Sequence, residues 1–370
     1  MSKGLVALYD GKSGWKLSQA VVPVPGPGMV LLLVRASGIC GSDLHYYPLR
    51  TTPETLPGGH EIAAEVVGVG QGVTTLKAGD RVAPEMVGLV RACLGCWYCR
   101  AGDYVKCLKP GQRLGGGFAE FLPVPAHACF KLPEKLSWEE GALIEPLAVA
   151  VHACRRAQLR PYETAVILGA GTIGLCQVAA VRALGAATII ATARYPAQAA
   201  MAKALGADSL LQAEDDMPWM EAASQPADRM SDGALPKSGS PLWDAVAKAT
   251  DGRGADVVFE CVGGTSGASL NQAIAIARKG GRVISVGAPK ALVPVNVTIM
   301  LRRELSLILS HCYSLTDGRH DYEVAASIIA SGAARVRGLV THRFPLKDIN
   351  AAYAAAGDKK SGALKVQLTG

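Results

Sequence analysis

The chain has 370 residues, of which 49% are apolar and 19% are charged, so it can bury the cores of two domains. The formal net charge of +7 is spread thinly, without a basic stripe, which disfavours a nucleic-acid partner and is compatible with a phosphorylated ligand. Charged, glycine and proline residues interrupt every apolar stretch, and we expect no membrane span. Residues 1–10 do not resemble a secretion signal, so we expect a cytoplasmic protein with reduced cysteines.

The first part of the chain, to about residue 150, consists of short β-rich segments divided by glycine and proline, such as residues 30–36 and 62–69. This pattern predicts a β-rich barrel with loops. It contains two short glycine-flanked motifs, Cys40-Gly41-Ser42-Asp43-Leu44-His45 and Gly59-His60-Glu61. Cysteine, histidine and glutamate are all zinc-competent ligands, although each motif taken alone is more often structural.

A further acidic residue, Glu145, lies in the apolar run 144–147. A buried carboxylate without a partner is costly, which suggests that Glu145 faces a metal or a metal-bound water. Together with Cys40, His60 and Glu61 it makes a plausible open, catalytic metal site.

Four cysteines lie close together in sequence, with gaps of two, two and seven residues: Cys93, Cys96, Cys99 and Cys107. Tight turns of this kind bring thiolates around a tetrahedral Zn²⁺, and Gly95 and Gly102 would loosen the backbone there. An all-cysteine shell leaves no open position, so this zinc would be structural. An iron–sulfur cluster fits the spacing poorly, and a disulfide pair is the simpler alternative.

From residue 165 to about 287, short apolar strands alternate with helical segments, which predicts a parallel sheet wrapped by helices. The polar stretch 213–240 interrupts this alternation, and we expect an extended surface loop there. The last strand-like segment is 364–368, and we expect this tail to pack onto the first domain.

The first strand of the alternating region runs into a Gly-x-Gly-x-x-Gly turn and then a helix: Gly169, Ala170, Gly171, Thr172, Ile173, Gly174. The first glycine permits the tight turn, the second lets the backbone approach a pyrophosphate, and the third lets helix and strand pack closely. Backbone amides at the helix N-terminus then face the phosphates. The context predicts a dinucleotide site.

An acidic residue that would hold the adenosine ribose of NAD is missing about 20 residues further on. Ala193 occupies that place and Arg194 follows it. Since a guanidinium can hold a 2′-phosphate bidentately, the sequence favours NADP. The alternative is that Arg194 is a solvated loop residue and that the protein accepts either cofactor.

In these motifs and in their order, over essentially its whole length, the chain resembles the zinc-dependent medium-chain dehydrogenases/reductases, and among them the sorbitol-type polyol dehydrogenases. The resemblance implies an α/β protein with a GroES-like, β-rich catalytic domain at 1–155 and a Rossmann domain, a doubly wound parallel sheet, at 156–292. It also implies a C-terminal segment, 293–370, that returns to the catalytic domain. The active site would lie in the cleft between the two domains.

Site roles follow from the same resemblance. Cys40 and His60 would ligate the catalytic zinc with Glu61 as a third ligand, and Glu145 would bind the zinc or its water. Asp43 would orient the His60 ring.

The resemblance also supplies a proton path and cofactor contacts. Ser42 and His45 would relay the alcohol proton to solvent, and the nicotinamide would stack near Val262 and Gly287. Lys365 would lie near the cofactor pyrophosphate.

Three aromatic residues are candidates for the substrate pocket, because each follows or precedes a ligand motif: Tyr46, Tyr47 and Phe118. They are equally compatible with a place in the core.

The sequence thus predicts an oxidoreductase with one catalytic and one structural Zn²⁺ per chain, which transfers a hydride between a polyol or secondary alcohol and NAD(P), with a preference for NADP. An alternative is an NADPH-dependent reductase of a specialised ketone substrate. A non-catalytic nucleotide-binding protein is disfavoured, since every ligand and relay residue is present. Relatives of this type imply a homodimer or homotetramer.

Overall fold

The computed structural model describes residues 2–12, 14–213 and 240–370. The loop predicted at 213–240 lies, apart from its two end residues, outside the described part of the chain. The chain divides into two compact units. Unit 1 comprises Met1–Ala148, Cys312–Gly332 and Val336–Gly370, and unit 2 comprises Val149–His311 and Ala333–Arg335. The sequence-based domain limits at 155 and 292 are different residues from these, and they remain predictions.

The described strands are β1 (Lys3–Tyr9), β2 (Trp15–Val21), β3 (Met29–Gly38), β4 (Glu61–Val69), β5 (Arg81–Pro84), β6 (Phe121–Pro125), β7 (Cys129–Lys131), β8 (Thr164–Leu168), β9 (Thr188–Ala193), β10 (Ser209–Gln212), β11 (Ala255–Glu260), β12 (Ala277–Ser285), β13 (Ser306–Leu309), β14 (Leu315–Thr316), β15 (Arg319–His320), β16 (Val340–Pro345) and β17 (Lys365–Thr369).

The described helices are α1 (Gly41–Tyr46), α2 (Trp97–Arg100), α3 (Trp138–Ala142), α4 (Ile144–Arg156), α5 (Thr172–Ala183), α6 (Pro196–Ala204), α7 (Pro241–Ala249), α8 (Ala268–Ile276), α9 (Val297–Arg302), α10 (Asp321–Ser331) and α11 (Ile349–Gly357).

Unit 1 is built on a seven-stranded sheet in the order β16-β17-β3-β4-β5-β7, with β6 pairing alongside β3. Strand β3 has three partners, since β4 pairs along one side while β6 and β17 share the other. Buried residues of β3 also lie on both faces of the sheet, which explains its nearly continuous apolar sequence. The strand predicted at 364–368 forms as β17.

A second core of unit 1 is aromatic. Trp15 lies edge-on to Tyr47 and to Phe118, with ring centroids 4.6 and 5.2 Å apart. Phe118 is fully buried, and a side chain at Gly59 would meet its ring at 2.7 Å. Phe118 is therefore a core residue that fixes the turn before His60, and its side chain is not the pocket wall that its position suggested.

Unit 2 contains a six-stranded parallel sheet in the order β10-β9-β8-β11-β12-β13. This order reverses between β8 and β11, as in a doubly wound dinucleotide-binding sheet, where ligands bind beyond the carboxyl ends of the strands. Strand β8 is buried at every position, as expected for a sheet with helices on both faces. The predicted parallel sheet is confirmed.

The glycine turn joins β8 to α5 at that reversal. Gly169 has φ +89°, and a Cβ at Gly174 would meet the carbonyl oxygen of Gly169 at 1.7 Å. A Cβ at Gly171 would meet no atom within 4 Å. Two glycines are therefore required by the fold, whereas the third faces open space.

Within the described part of the chain, no helix combines the length and the apolar character needed to cross a bilayer.

These contacts predict different effects of two substitutions on stability. Gly174→Ala pushes a methyl group into backbone and should lower the free energy of unfolding by about 1–3 kcal/mol. Gly171→Ala, at the N-cap of α5, should cost only about 0.5 kcal/mol. Urea denaturation followed by circular dichroism measures both. Equal losses would show that helix and strand do not approach as closely as described.

Candidate metal centres and cofactor site

Three potential ligands converge in unit 1. The sulfur of Cys40, a ring nitrogen of His60 and a carboxylate oxygen of Glu61 all lie within 4.8 Å of one another. The sheet register explains the convergence, because Glu61 opposes Gly38 across the β3–β4 pair and Cys40 follows two residues after that strand end. We call these residues the triad.

Cys40 is the neighbour that raises the pKa of the His60 ring most. Burial alone would lower the pKa of His60, but the adjacent Cys40 and Asp43 raise it well above its ordinary value. An Asp43 oxygen lies 3.7 Å from His60 Nδ1, and its other oxygen accepts a hydrogen bond from the Cys40 amide at 2.9 Å. Burial raises the pKa of Asp43 itself. Asp43 therefore contacts both members of the triad nearest to it.

Glu61 is held by a lysine from the other end of the chain. Lys365 Nζ donates to both Glu61 carboxylate oxygens at 2.6 and 2.7 Å and to the Ile39 carbonyl oxygen at 3.1 Å. Both side chains are 1% exposed. A carboxylate offers about four acceptor sites, so this contact leaves Glu61 able to bind a metal as well. The resemblance placed Lys365 near a pyrophosphate, whereas the structure places its ammonium on Glu61.

Glu145 is the second residue of α4 and is buried close to the charged groups of the triad. It is 5% exposed, and burial raises its pKa to about 7, with the charge of Glu61 adding to the shift and that of His60 opposing it. Its oxygens are not among the ligand atoms that lie within 4.8 Å of one another in the triad. The structure thus brings Glu145 near the triad's charges, but outside the tight ligand group.

The two relay candidates lie on α1. Ser42 and His45 are three residues apart on that helix, so their side chains are neighbours on its surface, and both are exposed. Ser42 and His60 line one cavity of about 290 Å³, and Tyr46 and Tyr47 line it too. Of the three aromatic candidates, two therefore line this cavity, and their contact with substrate stays a prediction.

The four predicted cysteines form a second group. The sulfur atoms of Cys93, Cys96, Cys99 and Cys107 lie within 4.8 Å of one another. Backbone amides point at these sulfurs, from Cys96 to Cys93 Sγ at 3.3 Å and from Cys93 to Cys107 Sγ at 3.3 Å. Amide donation from Cys99 and Leu108 lowers the pKa of Cys96 to about 6. No disulfide joins the ten cysteines, all of which the structure describes.

The turn inside this cluster differs from the expectation in one detail. Both glycines are expected to loosen the backbone, and Gly102 does so with φ +82°. The other left-handed residue is Leu94 with φ +56°, and Gly95 has no positive φ. Hydrogen bonds from backbone amides to the sulfurs stabilise this turn, and they hold a leucine in the left-handed conformation. The positions of the glycines alone therefore could not predict which residue adopts it.

The predicted cofactor loops meet at the carboxyl edge of the parallel sheet in unit 2. A Cβ at Gly169 would touch Val262, and one at Gly287 would touch the backbone of Val262 and Gly263. Buried Glu260 organises this edge by accepting hydrogen bonds from the Val262 and Gly263 amides, both at 2.8 Å. Gly169, Val262 and Gly287 are therefore brought together, with Thr172 and Ile173 in the first turn of α5.

Arg194 follows the last residue of β9, the strand next to β8, and is exposed. Its carbonyl oxygen accepts from Gln212 Nε2 at 3.3 Å, and its amide donates to Gln198 Oε1 at 3.1 Å. The residue before Arg194, Ala193, is buried and has no carboxylate, so the position expected for a ribose-binding acid is not acidic.

Both donor sets fit zinc, which binds thiolate, imidazole and carboxylate in tetrahedral sites. Four thiolates close one site, while three mixed donors leave a position of the other site available to a ligand. The open space at Gly171 and the helix N-terminus beside it fit a dinucleotide pyrophosphate. Fold and sites together define the class of zinc-dependent dehydrogenases.

Comparison with known proteins agrees with this class. The family model for the alcohol dehydrogenase GroES-like domain matches residues 26–134, and the model for zinc-binding dehydrogenases matches residues 172–331. L-idonate 5-dehydrogenase of Vitis vinifera is 32% identical, over 99% of this chain and 94% of that protein. Sorbitol dehydrogenase of Arabidopsis thaliana is 33% identical, over 99% of this chain and 95% of that protein.

A solved structure shows the same fold. The crystal structure of a putative zinc-binding dehydrogenase from Sinorhizobium meliloti 1021, bound to NADP, has a TM-score of 0.81 and 26% identity. The match covers 100% of each chain. The chain belongs to the zinc-dependent medium-chain dehydrogenases and is sorbitol dehydrogenase-like. It is thus an alcohol or polyol dehydrogenase that uses zinc and NAD(P), and the predicted class, fold and cofactors are confirmed.

Sequence reasoning missed three features of these sites. Glu260 is an acid at the end of an apolar strand, the same signal that identified Glu145. The partner of Lys365 was not evident, because Glu61 lies 304 residues away. Arg91 and Arg113 also line the cavity, and no motif marks them.

We expect the two cysteine-containing sites to lose zinc independently. Cys99→Ser should reduce bound zinc from two ions per chain to one and destabilise the lobe, whereas Cys40→Ala should reduce zinc to one and abolish turnover with folding intact. Mass spectrometry of metal content measures the first effect and initial rates the second. Cys129→Ser, at a half-buried cysteine outside both groups, is the control and should keep two ions. Full zinc in Cys99→Ser would exclude the four-cysteine site.

The buried ion pair gives a second prediction. Lys365→Met should lower the free energy of unfolding by about 3–5 kcal/mol, because it leaves the Glu61 carboxylate without its cation. Adding Glu61→Gln should recover part of that loss. The control is Lys131→Met, which breaks an ion pair of 3.0 Å with a half-exposed lysine and should cost less than about 1 kcal/mol. Similar losses for Lys365→Met and Lys131→Met in urea denaturation would contradict the argument.

Proposed function

We propose that this enzyme oxidises a polyol or secondary alcohol at the triad, with Cys40, His60 and Glu61 as ligands of its catalytic zinc. The observation that carries the proposal is the convergence of these three donors beside a cavity lined by Ser42 and His60. The relatives named sorbitol and L-idonate dehydrogenases support a polyol as substrate.

When bound, zinc supplies Lewis-acid polarisation of the substrate oxygen, and NAD(P) supplies the hydride acceptor or donor. The chain's own residues do the rest. Asp43 orients the His60 ring, since one of its oxygens lies near Nδ1 of that ring. Lys365 fixes Glu61 and offsets its charge in a site that water does not reach.

Proton transfer runs along α1 in this proposal. Ser42 lines the cavity, and its hydroxyl would accept the proton of the substrate hydroxyl while passing its own proton toward His45 on the next turn of the helix, which would release it to water. Histidine is the side chain that most often exchanges protons near neutral pH. Glu145, with a pKa raised to about 7, either binds the zinc or holds a proton beside it.

For the cofactor, we propose that Gly169, Gly171, Thr172, Ile173 and Gly174 cradle the pyrophosphate, with Val262 and Gly287 beside the nicotinamide. We further propose a preference for NADP. The absence of an acid at buried Ala193 removes a repulsion toward the 2′-phosphate, and the exposed Arg194 offers a cation for it. The reductase alternative is not favoured, because the relatives are named polyol dehydrogenases.

We also propose a cytoplasmic homodimer or homotetramer that binds neither nucleic acid nor membranes. Ten cysteines without a disulfide suit a reducing compartment. Among the described strands, β13 pairs only with β12, and this edge of unit 2 bears exposed Leu309, with Leu301 and Val297 exposed on α9 before it. Apolar residues at a sheet edge support contact with a second copy.

The test is an initial-rate survey of polyols, vicinal diols and secondary alcohols, each with NADP and with NAD. We expect turnover that prefers NADP. Arg194→Ala should weaken NADP use about 10- to 100-fold, the effect of one charge-assisted contact, and leave NAD use within about twofold. Ala193→Asp should favour NAD in the same assay.

The outcomes separate the parts of the proposal. Equal losses with both cofactors in Arg194→Ala would remove the phosphate contact but keep the dehydrogenase. Absence of turnover with any alcohol would refute the oxidation of polyols and direct the survey to ketones with NADPH.

A further inference from the structure

Two arginines line the cavity beside the triad, and a neutral polyol does not explain their presence. We propose that the substrate bears an anionic group, a carboxylate or a phosphate, which Arg91 and Arg113 bind while the reacting hydroxyl faces the triad. The inference rests on the proposed function and names the class of substrate that the same site takes.

The cavity belongs to the site by position. Ser42, Asp43 and His60 line it, and Arg91 and Arg113 line it too. Its volume of about 290 Å³ lies at the small end of the range for ligand pockets. A molecule of the size of a hexitol, a sugar acid or a hexitol phosphate would therefore contact both the relay serine and the arginines.

The charges of the lining do not cancel. Among the described residues that line the cavity, Asp43 is the only carboxylate, and it already contacts the Cys40 amide and the His60 ring. The two guanidinium groups on the wall therefore outnumber its one carboxylate. Guanidinium groups bind carboxylate and phosphate bidentately and at short range, so they favour an anion over a neutral hydroxyl group.

Arg91 is held in position for such a contact. Its Nε donates to the Gly111 carbonyl oxygen at 2.9 Å, and the Gly111 amide donates back to the Arg91 carbonyl oxygen at 2.7 Å. No carboxylate in the described part of the chain forms an ion pair with it. Its side chain is thus anchored at Nε, and its charge is not neutralised by a neighbouring acid.

Arg113 shares its acidic neighbour with another arginine. Glu54 lies 3.7 Å from Arg113 Nη1, but only 3.0 Å from Arg50 Nε. The Arg50 guanidinium also lies over the ring of Tyr46, 4.3 Å from its centroid. One carboxylate between two guanidinium groups leaves a positive charge at this side of the cavity, where Tyr46 forms part of the wall.

The experiment compares substrates that differ only in charge. The zinc-loaded enzyme is assayed with sorbitol, gluconate and sorbitol 6-phosphate, and with the corresponding galacto and ido compounds, using NADP and NAD. We expect kcat/KM for an acid or a phosphate to exceed that for its parent hexitol at least about tenfold, and to fall as sodium chloride is added. Preference for the acid or for the phosphate identifies the anion, and either supports the proposal.

Variants test the two arginines directly. Arg91→Gln and Arg113→Gln should each lower kcat/KM for the preferred anion about 10- to 100-fold, mainly through KM, and should affect the parent hexitol much less. Arg335→Gln, at an exposed arginine elsewhere on the surface, is the matched control and should change neither. Preference for the neutral hexitol, or equal losses for charged and neutral substrates, would overturn the proposal.

Calorimetry separates this proposal from the dehydrogenase function itself. Gluconate and sorbitol 6-phosphate are titrated into the zinc-loaded protein without cofactor, with sorbitol as the neutral reference. If no compound is turned over, the proposed function fails. Anion binding that disappears in the Arg91→Gln/Arg113→Gln variant would still support the anion site, and the absence of binding would refute it.

Discussion

The candidate catalytic site depends on one buried ion pair. Lys365 and Glu61 are both 1% exposed, and each would be costly to bury without the other. Lys365 comes from β17, which lies on the far side of β3 from β4, so its side chain reaches Glu61 past the end of β3 at Gly38. A Cβ at Gly38 would meet a Glu61 oxygen at 1.9 Å, and glycine is therefore the residue that lets the two strands share this contact. The carboxyl-terminal strand is thus part of the site: it sets the direction of the Glu61 carboxylate, and through it the spacing of the triad.

A buried glutamate also organises the site in unit 2, but Glu260 binds backbone amides instead of a lysine. The cofactor loops at the carboxyl edge of the parallel sheet present backbone groups. A few side chains and close backbone contacts fix the positions of these groups. Gly169 and Gly174 bring β8 and α5 together, Thr192 Oγ1 accepts the Gly169 amide at 2.9 Å, and Glu260 accepts two amides of the adjacent loop. A buried carboxylate that binds amides fixes a loop as firmly as an ion pair, because the charge is satisfied by several short donors. In both units, buried residues fix the shape of the site.

Much of this could be predicted from short-range patterns. The spacing of Cys93, Cys96, Cys99 and Cys107 already determines a cluster, since tight turns keep the sulfurs close, and the glycine turn has one meaning between a strand and a helix. Contacts between distant segments could not be predicted in this way. Lys365 meets Glu61 across 304 residues, and Phe118 became a core residue because Trp15, from another hairpin, covers it. Arg91 and Arg113 likewise acquire a meaning only when the fold places both at one cavity. Pairing between strands far apart in sequence depends on the whole sheet, which no local pattern specifies.

The two cysteine-containing sites differ in what the metal does for the fold. The triad lies against a formed core, so its residues are positioned by the sheet and a metal adds chemistry. The four-cysteine lobe has little core of its own: Leu94, Trp97 and Leu108 within it are 48%, 64% and 65% exposed. A segment with so little buried apolar surface cannot offset the entropy of ordering its chain, and the free energy of zinc binding takes the place of a core there. Since amides already point at Cys93 and Cys107, the turns direct charge toward the sulfurs that a metal would need. We therefore expect metal binding and folding to be coupled in the lobe, whereas the triad should be positioned by the sheet without metal.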